Sequence, residues 1–523
     1  MSETAMRRGS DGGARSDRKS LLSLYVFCVA LSVSCGYLVE SGGLGSYRLE
    51  LLIGIGATLA ASFAGFIVVR LVAAEGTSLV YRLGGLLFLV AFVAFGVASL
   101  AWLGQPSGLA FAIRPEGVPS ALVLASAWLL SVGFGYLIAP RSLRSISAQL
   151  GRGLVPLGEG RVVARWRWLA VWGLGVTFRL LRILTGQFNY LGDPDQALNS
   201  PSQFAQLLVA GETLSLLGAV GGVVAGVRWR SSGAAIPIAV SIVICVEAGF
   251  AMLGGMRGEL LALIFGVTVA WLPLRRLNVR KRKSPLGVRL AGVGAAVAVL
   301  VAVPAIETYR DELRAGGVGE SKVSESLEAA GPALQANLTP AALVESISET
   351  PTHFLNRLRY VDSLALVTQR VPSSIEMQSR LSVFTAPVAA ITPRLVWQGK
   401  PVVSTAEEFT RDFYRLPAAV RSGTAITVPG DLYRRGGLAS ILMGGFLAGL
   451  ILRILDAFCR YPEVLGHVFI YVALASTVLM FELDWVSWIA GMPLVLASGV
   501  VAGRLCSRRV SSLGMEKGAV PSV

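Results

Sequence analysis

Twelve apolar runs of fifteen to twenty-two residues recur along the chain, at 21–39, 51–69, 84–104, 119–139, 168–185, 206–227, 233–253, 260–274, 287–306, 437–455, 464–481 and 486–503. An α-helix needs about 20 such residues to cross the roughly 30 Å hydrocarbon core of a bilayer. The runs therefore predict an all-α, polytopic membrane protein with about 12 transmembrane helices. Composition agrees: 54% of the 523 residues are hydrophobic and 15% are charged, whereas soluble chains carry about 25% charged residues. The eighth run is short enough to be tilted or re-entrant.

The connections set the orientation. Arg7, Arg8, Arg15, Arg18 and Lys19 precede the first run. Arg141, Arg144, Arg152, Arg161, Arg165 and Arg167 fall between the fourth and fifth runs, and Arg275, Arg276, Arg280, Lys281, Arg282 and Lys283 between the eighth and ninth. Arg504, Arg508 and Arg509 follow the last. The alternate short loops hold only Arg48, Arg114 and, at a span edge, Arg257. By the positive-inside rule both termini are cytoplasmic, and the expected location is the plasma (inner) membrane. This excess accounts for the formal charge of +15 without a nucleic-acid partner. Two histidines and no CxxC pair argue against a metal site, and no cofactor is expected. The five cysteines fall in spans or cytoplasmic stretches, so no disulfide framework is expected.

The chain divides into a polar, basic cytoplasmic tail (1–20), read as disordered before an uncleaved first span; helices one to nine (21–306); a large extracytoplasmic loop (307–436); helices ten to twelve (437–503); and a cytoplasmic tail (504–523). The loop carries 14 basic and 14 acidic residues and is too long for a connector. Its sequence predicts partial helicity, because Phe354, Leu358, Val361 and Ala365 share one helical face.

Cations gather at the outer boundary. Arg179 and Arg182 lie three residues apart near the end of the fifth run, where they snorkel to headgroups or face a ligand. Arg257 sits in GGMRGE between runs seven and eight, flanked by glycines that admit a ligand to the backbone, with Glu259 as its alternative partner. Arg359 pairs most simply with Asp362 at i,i+3. Arg380, Arg434 and Arg435 follow, and TPRLVWQGKP (392–401) holds Arg394 and Lys400 between two prolines. Arginine's planar fork suits phosphate oxygens and lysine adds a point charge, so a lipid-linked diphosphate fits the set. Anion transport is the other reading of such a ring. Elsewhere, Glu212 predicts an interhelical contact near Thr213 and Ser215, His467 packs, and Trp485 and Trp488 are expected as interfacial anchors.

GGMRGE, the large outer loop, ITPRLVWQGKP and the closing PGDLYRRGG, with Gly430, Tyr433 and Gly437 in a G-x-x-Y-x-x-x-G pattern, together resemble the O-antigen polymerase family. The topological likeness spans most of the chain; the motif likeness is confined to 254–259 and 380–437. The related O-antigen ligases share the architecture. The resemblance implies a metal-independent glycosyltransferase that polymerises oligosaccharide repeat units carried on undecaprenyl diphosphate. Membrane lipids, a flippase and a chain-length regulator are the implied neighbours. Arg257, Glu259, Arg394 and His353 are then the catalytic candidates. Arg179, Arg182, Arg380, Arg394 and Lys400 would bind diphosphate, and Trp397, Asp431, Tyr433 and Arg434 would bind substrate. Glu259, Asp431, His353 and Asp362 are the candidate bases.

Overall fold

The computed structural model describes residues 3–41, 46–72, 79–104, 112–154, 161–185, 205–228, 235–254, 257–278, 332, 358–392, 396–397, 405–415, 426–459 and 467–509. Helices α1 (Glu3–Glu40) and α2 (Tyr47–Val72) are followed by α3 (Leu83–Ala91), which continues through a π-helical stretch (Phe92–Val97) and a 3-10 stretch (Ala98–Leu103). Then come α4 (Gly117–Ile138), α5 (Arg141–Leu154), strand β1 (Arg161–Val163), α6 (Arg167–Leu184), α7 (Ala205–Arg228), α8 (Ala235–Leu253) and α9 (Arg257–Asn278). The long loop contributes α10 (Val361–Arg370), α11 (Ser382–Ile391) and α12 (Thr405–Tyr414). The chain continues with α13 (Val428–Phe458), α14 (His467–Leu479), α15 (Trp485–Cys506) and strand β2 (Ser507–Arg509).

Among the described residues seven helical segments are long and apolar enough to cross a membrane: Ser20–Glu40, Tyr47–Val72, Leu83–Leu103, Gly117–Ile138, Leu207–Gly226, Val428–Phe458 and Trp485–Cys506. The chain is thus a polytopic membrane protein whose described residues are helical apart from the short β1–β2 ribbon and connecting turns. Shorter apolar helices, Ile238–Ala251, Gly258–Trp271 and His467–Leu479, fall on the seventh, eighth and eleventh expected spans. The fifth falls on α6, whose two arginines interrupt its apolar run. The ninth, 287–306, lies outside the described residues. The expected disordered tail differs from what is seen: α1 runs upstream from Glu3, because a helix nucleated in the apolar run propagates outward at little further cost.

The helices form two groups. In one, α4 lies against α2 and α13, with α1 against α2; in the other, α7 lies against α6, α8, α9 and α15. The contacts of α14 with α3 and of α13 with α15 join them. Glycine permits the closest approaches: a Cβ at Gly449 would overlap the Val132 carbonyl of α4, and one at Gly175 would overlap the Ser215 backbone of α7. Small residues at such crossings let backbones meet in an apolar medium, where burial alone gives little driving force.

Two ends are distinct. At one, β1 pairs antiparallel with β2, setting Arg161 opposite Arg509 and Val163 opposite Ser507. Here Asp456 of α13 caps α3, accepting from the Leu83 and Gly84 amides at 2.7 and 3.4 Å and from the Tyr136 hydroxyl at 2.7 Å. At the opposite end, Trp102 Nε1 donates to Asp362 Oδ1 at 2.9 Å, and Gln369 Nε2 donates to the Arg114 carbonyl at 2.7 Å. The Thr427 amide there donates to the Glu482 carbonyl at 2.9 Å. The described part of the long loop therefore shares one end with the connections around Arg114 and Glu482.

Candidate functional site

The cations of the loop end fall into three environments. The first is an ion-pair network inside the helix bundle. Arg179 donates from Nε to Glu212 Oε1 at 2.8 Å and from Nη1 to Glu247 Oε2 at 2.9 Å, and its guanidinium lies 5.0 Å from the centroid of the Phe250 ring. Arg182 also pairs with Glu212. Ser215 Oγ and Trp172 Nε1 donate to the Glu247 carboxylate at 3.1 and 2.8 Å. Glu259, in the first turn of α9, lies within electrostatic reach of all four charges. Arg179 is buried and its fork is committed to two carboxylates from neighbouring helices. That differs from the snorkelling cation or the free phosphate ligand expected of it; low dielectric makes a nearby carboxylate the stronger partner. The interhelical contact expected of Glu212 is present. Glu247 was missed, because a lone carboxylate in an apolar run does not show its partner 68 residues away.

The second environment anchors the loop. Arg359 Nε donates to Asp362 Oδ2 at 2.6 Å, the i,i+3 pair expected, and the guanidinium lies 5.7 Å from the Trp102 ring centroid. Burial pushes the Asp362 carboxyl up to about 6; the Arg359 charge and the hydrogen bonds from Arg359 and Trp102 only partly offset it. Tyr360 OH donates to Glu482 at 3.0 Å, and its ring meets Phe481 edge-on.

The third is the best candidate for a ligand. Helix α13 is broken at Gly436 and Gly437; Gly437 has φ +66° and ψ −149°, a conformation side chains strongly disfavour. The apolar stretch of α13 begins after the break, at Leu438, and the preceding turns form a separate polar helix. In that helix Asp431 is fully buried; its Oδ2 accepts from Arg435 Nε at 3.0 Å and from the Trp485 amide at 3.2 Å, and Arg434 Nη2 forms an ion pair with its Oδ1 at 3.1 Å. Arg435 also donates to Ser382 Oγ at 3.1 Å, and Glu408 stands 3.7 Å from Arg434. Thr427, at φ +68°, starts this helix with its hydroxyl accepting from the Gly430 amide. Burial, then the Asp431 charge, pushes the Asp484 carboxyl above its ordinary range.

Arg380 lies across the break. A Cβ on Gly436 would come within 2.5 Å of both Arg380 Cγ and Ser440 Oγ. Arg380 is exposed and makes no ion pair among the described residues. Ser440 Oγ and Arg434 Nε are buried with no hydrogen-bond partner among the described residues. Ser440 is in the first turn of the half-helix after the break, where backbone amides point outward and favour an anion. Arg434 and Arg435 face Asp431, Arg434 also faces Glu408, and Arg380 adds a positive charge across the break. The structure thus groups Arg380, Asp431 and Arg434 from the expected site residues and adds Arg435 and Ser440. Tyr433 is half-buried and packs on the core. Trp397 is half-exposed, a short way beyond α11.

Arg394, Lys400 and His353 lie outside the described residues, and so does the Arg257 side chain at the start of α9. Trp485 and Trp488 correct the sequence reading. Both are fully buried, donating from Nε1 to the Val383 and Thr477 carbonyls at 2.8 and 3.0 Å, so they are core residues rather than interfacial anchors. Comparison of the chain with protein-family profiles, curated proteins and solved structures returns no match.

Proposed function

We propose that the chain is a plasma-membrane glycosyltransferase that polymerises oligosaccharide repeat units carried on undecaprenyl diphosphate, with twelve spans, cytoplasmic termini and the loop end outside. The observation that carries this reading is the arginine group at the break in α13. It lies where the polar loop meets the apolar half-helix, which is the depth at which a lipid diphosphate presents its charge. A donor tail would lie along the spans while its sugars reach the loop.

In this reaction the acceptor hydroxyl oxygen forms a bond to C1 of the donor sugar. The C1–O bond to the diphosphate breaks, and the lipid diphosphate leaves with the bonding electrons. Arg380 and the α13 half-helix then stabilise the growing negative charge, an effect worth about 3 kcal/mol for one well-placed donor. Asp431 holds Arg434 and Arg435 in place and is too enclosed to take the proton. That proton falls to Glu259, His353 or Asp362, and Arg257, Arg394 and Lys400 complete the diphosphate cradle from the segments around it.

Purified protein in liposomes, given lipid-diphosphate-linked repeat units, is expected to lengthen the glycan. Arg380→Ala is expected to slow growth about 100-fold while the protein stays folded in the membrane. Near-normal chain length in Arg380→Ala would overturn the assignment. A second reading, transport of the lipid-linked sugar, is favoured by the buried Arg179–Glu212–Glu247 network, since intramembrane charge often marks a transport path. Movement of label across the liposome without chain growth would select it. Transfer to an unrelated acceptor would indicate ligation instead.

A further inference from the structure

Helix α11 has no charged residue: its sequence is SVFTAPVAAI. Its inner face meets α15, where Trp485 Nε1 donates to the Val383 carbonyl at 2.8 Å and Val383 and Pro387 are buried. The other face is bare. Leu381 is 70% exposed, Val388 66% and, just past the helix, Val396 77%, with Phe384, Ile391 and Trp397 also exposed. Leu381, Phe384, Val388 and Ile391 follow the helical repeat, so one continuous apolar stripe is presented.

At about 15 Å long, from a rise of roughly 1.5 Å per residue, the helix cannot cross a bilayer. The stripe nevertheless lies near the exposed apolar start of the spanning half of α13. Met377, itself exposed, is the side chain nearest Gly437, and the first turns of α13 beyond that glycine expose Leu438 and Leu442. Among the described residues, charge flanks the stripe at one end only: Arg380 precedes the helix, and Arg435 bonds Ser382 in its first turn. A tryptophan marks the other end. Arginine at headgroup level with a tryptophan alongside is the pattern of an element lying in the interface of a bilayer.

We infer that α11 lies in the outer leaflet, with Leu381, Phe384 and Val388, and Val396 beyond it, against lipid acyl chains. The occupant of this face is lipid rather than a second copy of the chain or another protein, because the exposed Leu381, Phe384, Val388 and Ile391 are all apolar, an arginine stands at one end and a tryptophan at the other, and the spanning half of α13 exposes Leu438 and Leu442. The inference is independent of the glycosyltransferase reading. It sets Arg380 at the depth of lipid phosphate whatever reaction follows.

The test uses full-length protein in liposomes with all five cysteines replaced, carrying single Leu381→Cys or Val388→Cys changes labelled with an environment-sensitive fluorophore. Asp412→Cys, on an exposed position of α12, is the aqueous control. Labels at 381 and 388 are expected to emit at shorter wavelength than the label at 412. They should lose most of their emission with lipids nitroxide-labelled near the headgroup, and little with iodide. Quenching by iodide and not by the lipid nitroxides would show a water-facing helix and overturn the inference. Protection from both quenchers, or disulfide-linked dimers of the unlabelled Val388→Cys variant, would show a protein covering and overturn it as well.

Discussion

Asp431 accepts from Arg435 and the Trp485 amide and ion-pairs with Arg434 while fully excluded from water, so its removal strands two guanidinium groups at once. Asp431→Ala is expected to destabilise the protein by about 3–5 kcal/mol, read as a fall in melting temperature in detergent. Asp362 gives a pH signature. Burial raises its folded value to about 6 from an ordinary 3.8. A raised carboxyl favours folding fully below its unfolded value and loses that contribution as pH rises through the folded one. Stability attributable to Asp362 is therefore expected to decline between about pH 4 and pH 6, by at most about 1.4 kcal/mol for each pH unit crossed. Trp102, bonded to this carboxylate, should show a fluorescence change with a midpoint near pH 6. Its absence from Asp362→Asn would identify the source. Pairs close in sequence, such as Arg359 with Asp362, were legible from spacing. Pairs such as Arg179 with Glu247 were not, because their meeting depends on which helices adjoin. Trp485 and Trp488 misled for a related reason: at the start of a span, buried and interfacial tryptophans have the same sequence context.

The sequence marked the onset of an apolar run at 437, and only the structure shows the break at Gly436 and Gly437 with helix on both sides of it. Gly437→Ala is expected to cost about 1–2 kcal/mol, the penalty of a side chain in a left-handed conformation. Gly436→Ala meets Arg380 and Ser440 instead of a forbidden torsion. It is expected to reduce chain growth more than it reduces melting temperature, and the two readouts together separate a displaced arginine from a weakened fold. Helix α11 was hidden by its length. A ten-residue, uncharged helix falls below the span threshold, so the segment read as part of the large outer loop.

Across the molecule the helical, membrane-spanning architecture was readable in the apolar runs, since bilayer thickness imposes one length on every crossing. How the helices group was not readable, because nearly all of them are apolar on every side. Grouping depends on glycine contacts and on the ion pairs among α6, α7 and α8. Glu247→Gln is expected to destabilise the second group by about 3 kcal/mol by leaving Arg179 short of one charge, measured as increased susceptibility to proteolysis in detergent. Gly449→Leu is expected to abolish accumulation of folded protein, because the side chain would displace α4 from α13.

The β1–β2 ribbon imposes an order on assembly. Arg167 at the start of α6 donates to the Ser507 carbonyl 340 residues later, beside the paired strands. Throughout synthesis of the intervening helices, β1 is an unmatched strand edge on the basic side, open to any extended segment that reaches it. The second helix group can be closed at that side, α6 against α15, only after α15 has been inserted. A nascent chain arrested before residue 507 should therefore carry its first spans in place and its latch undone.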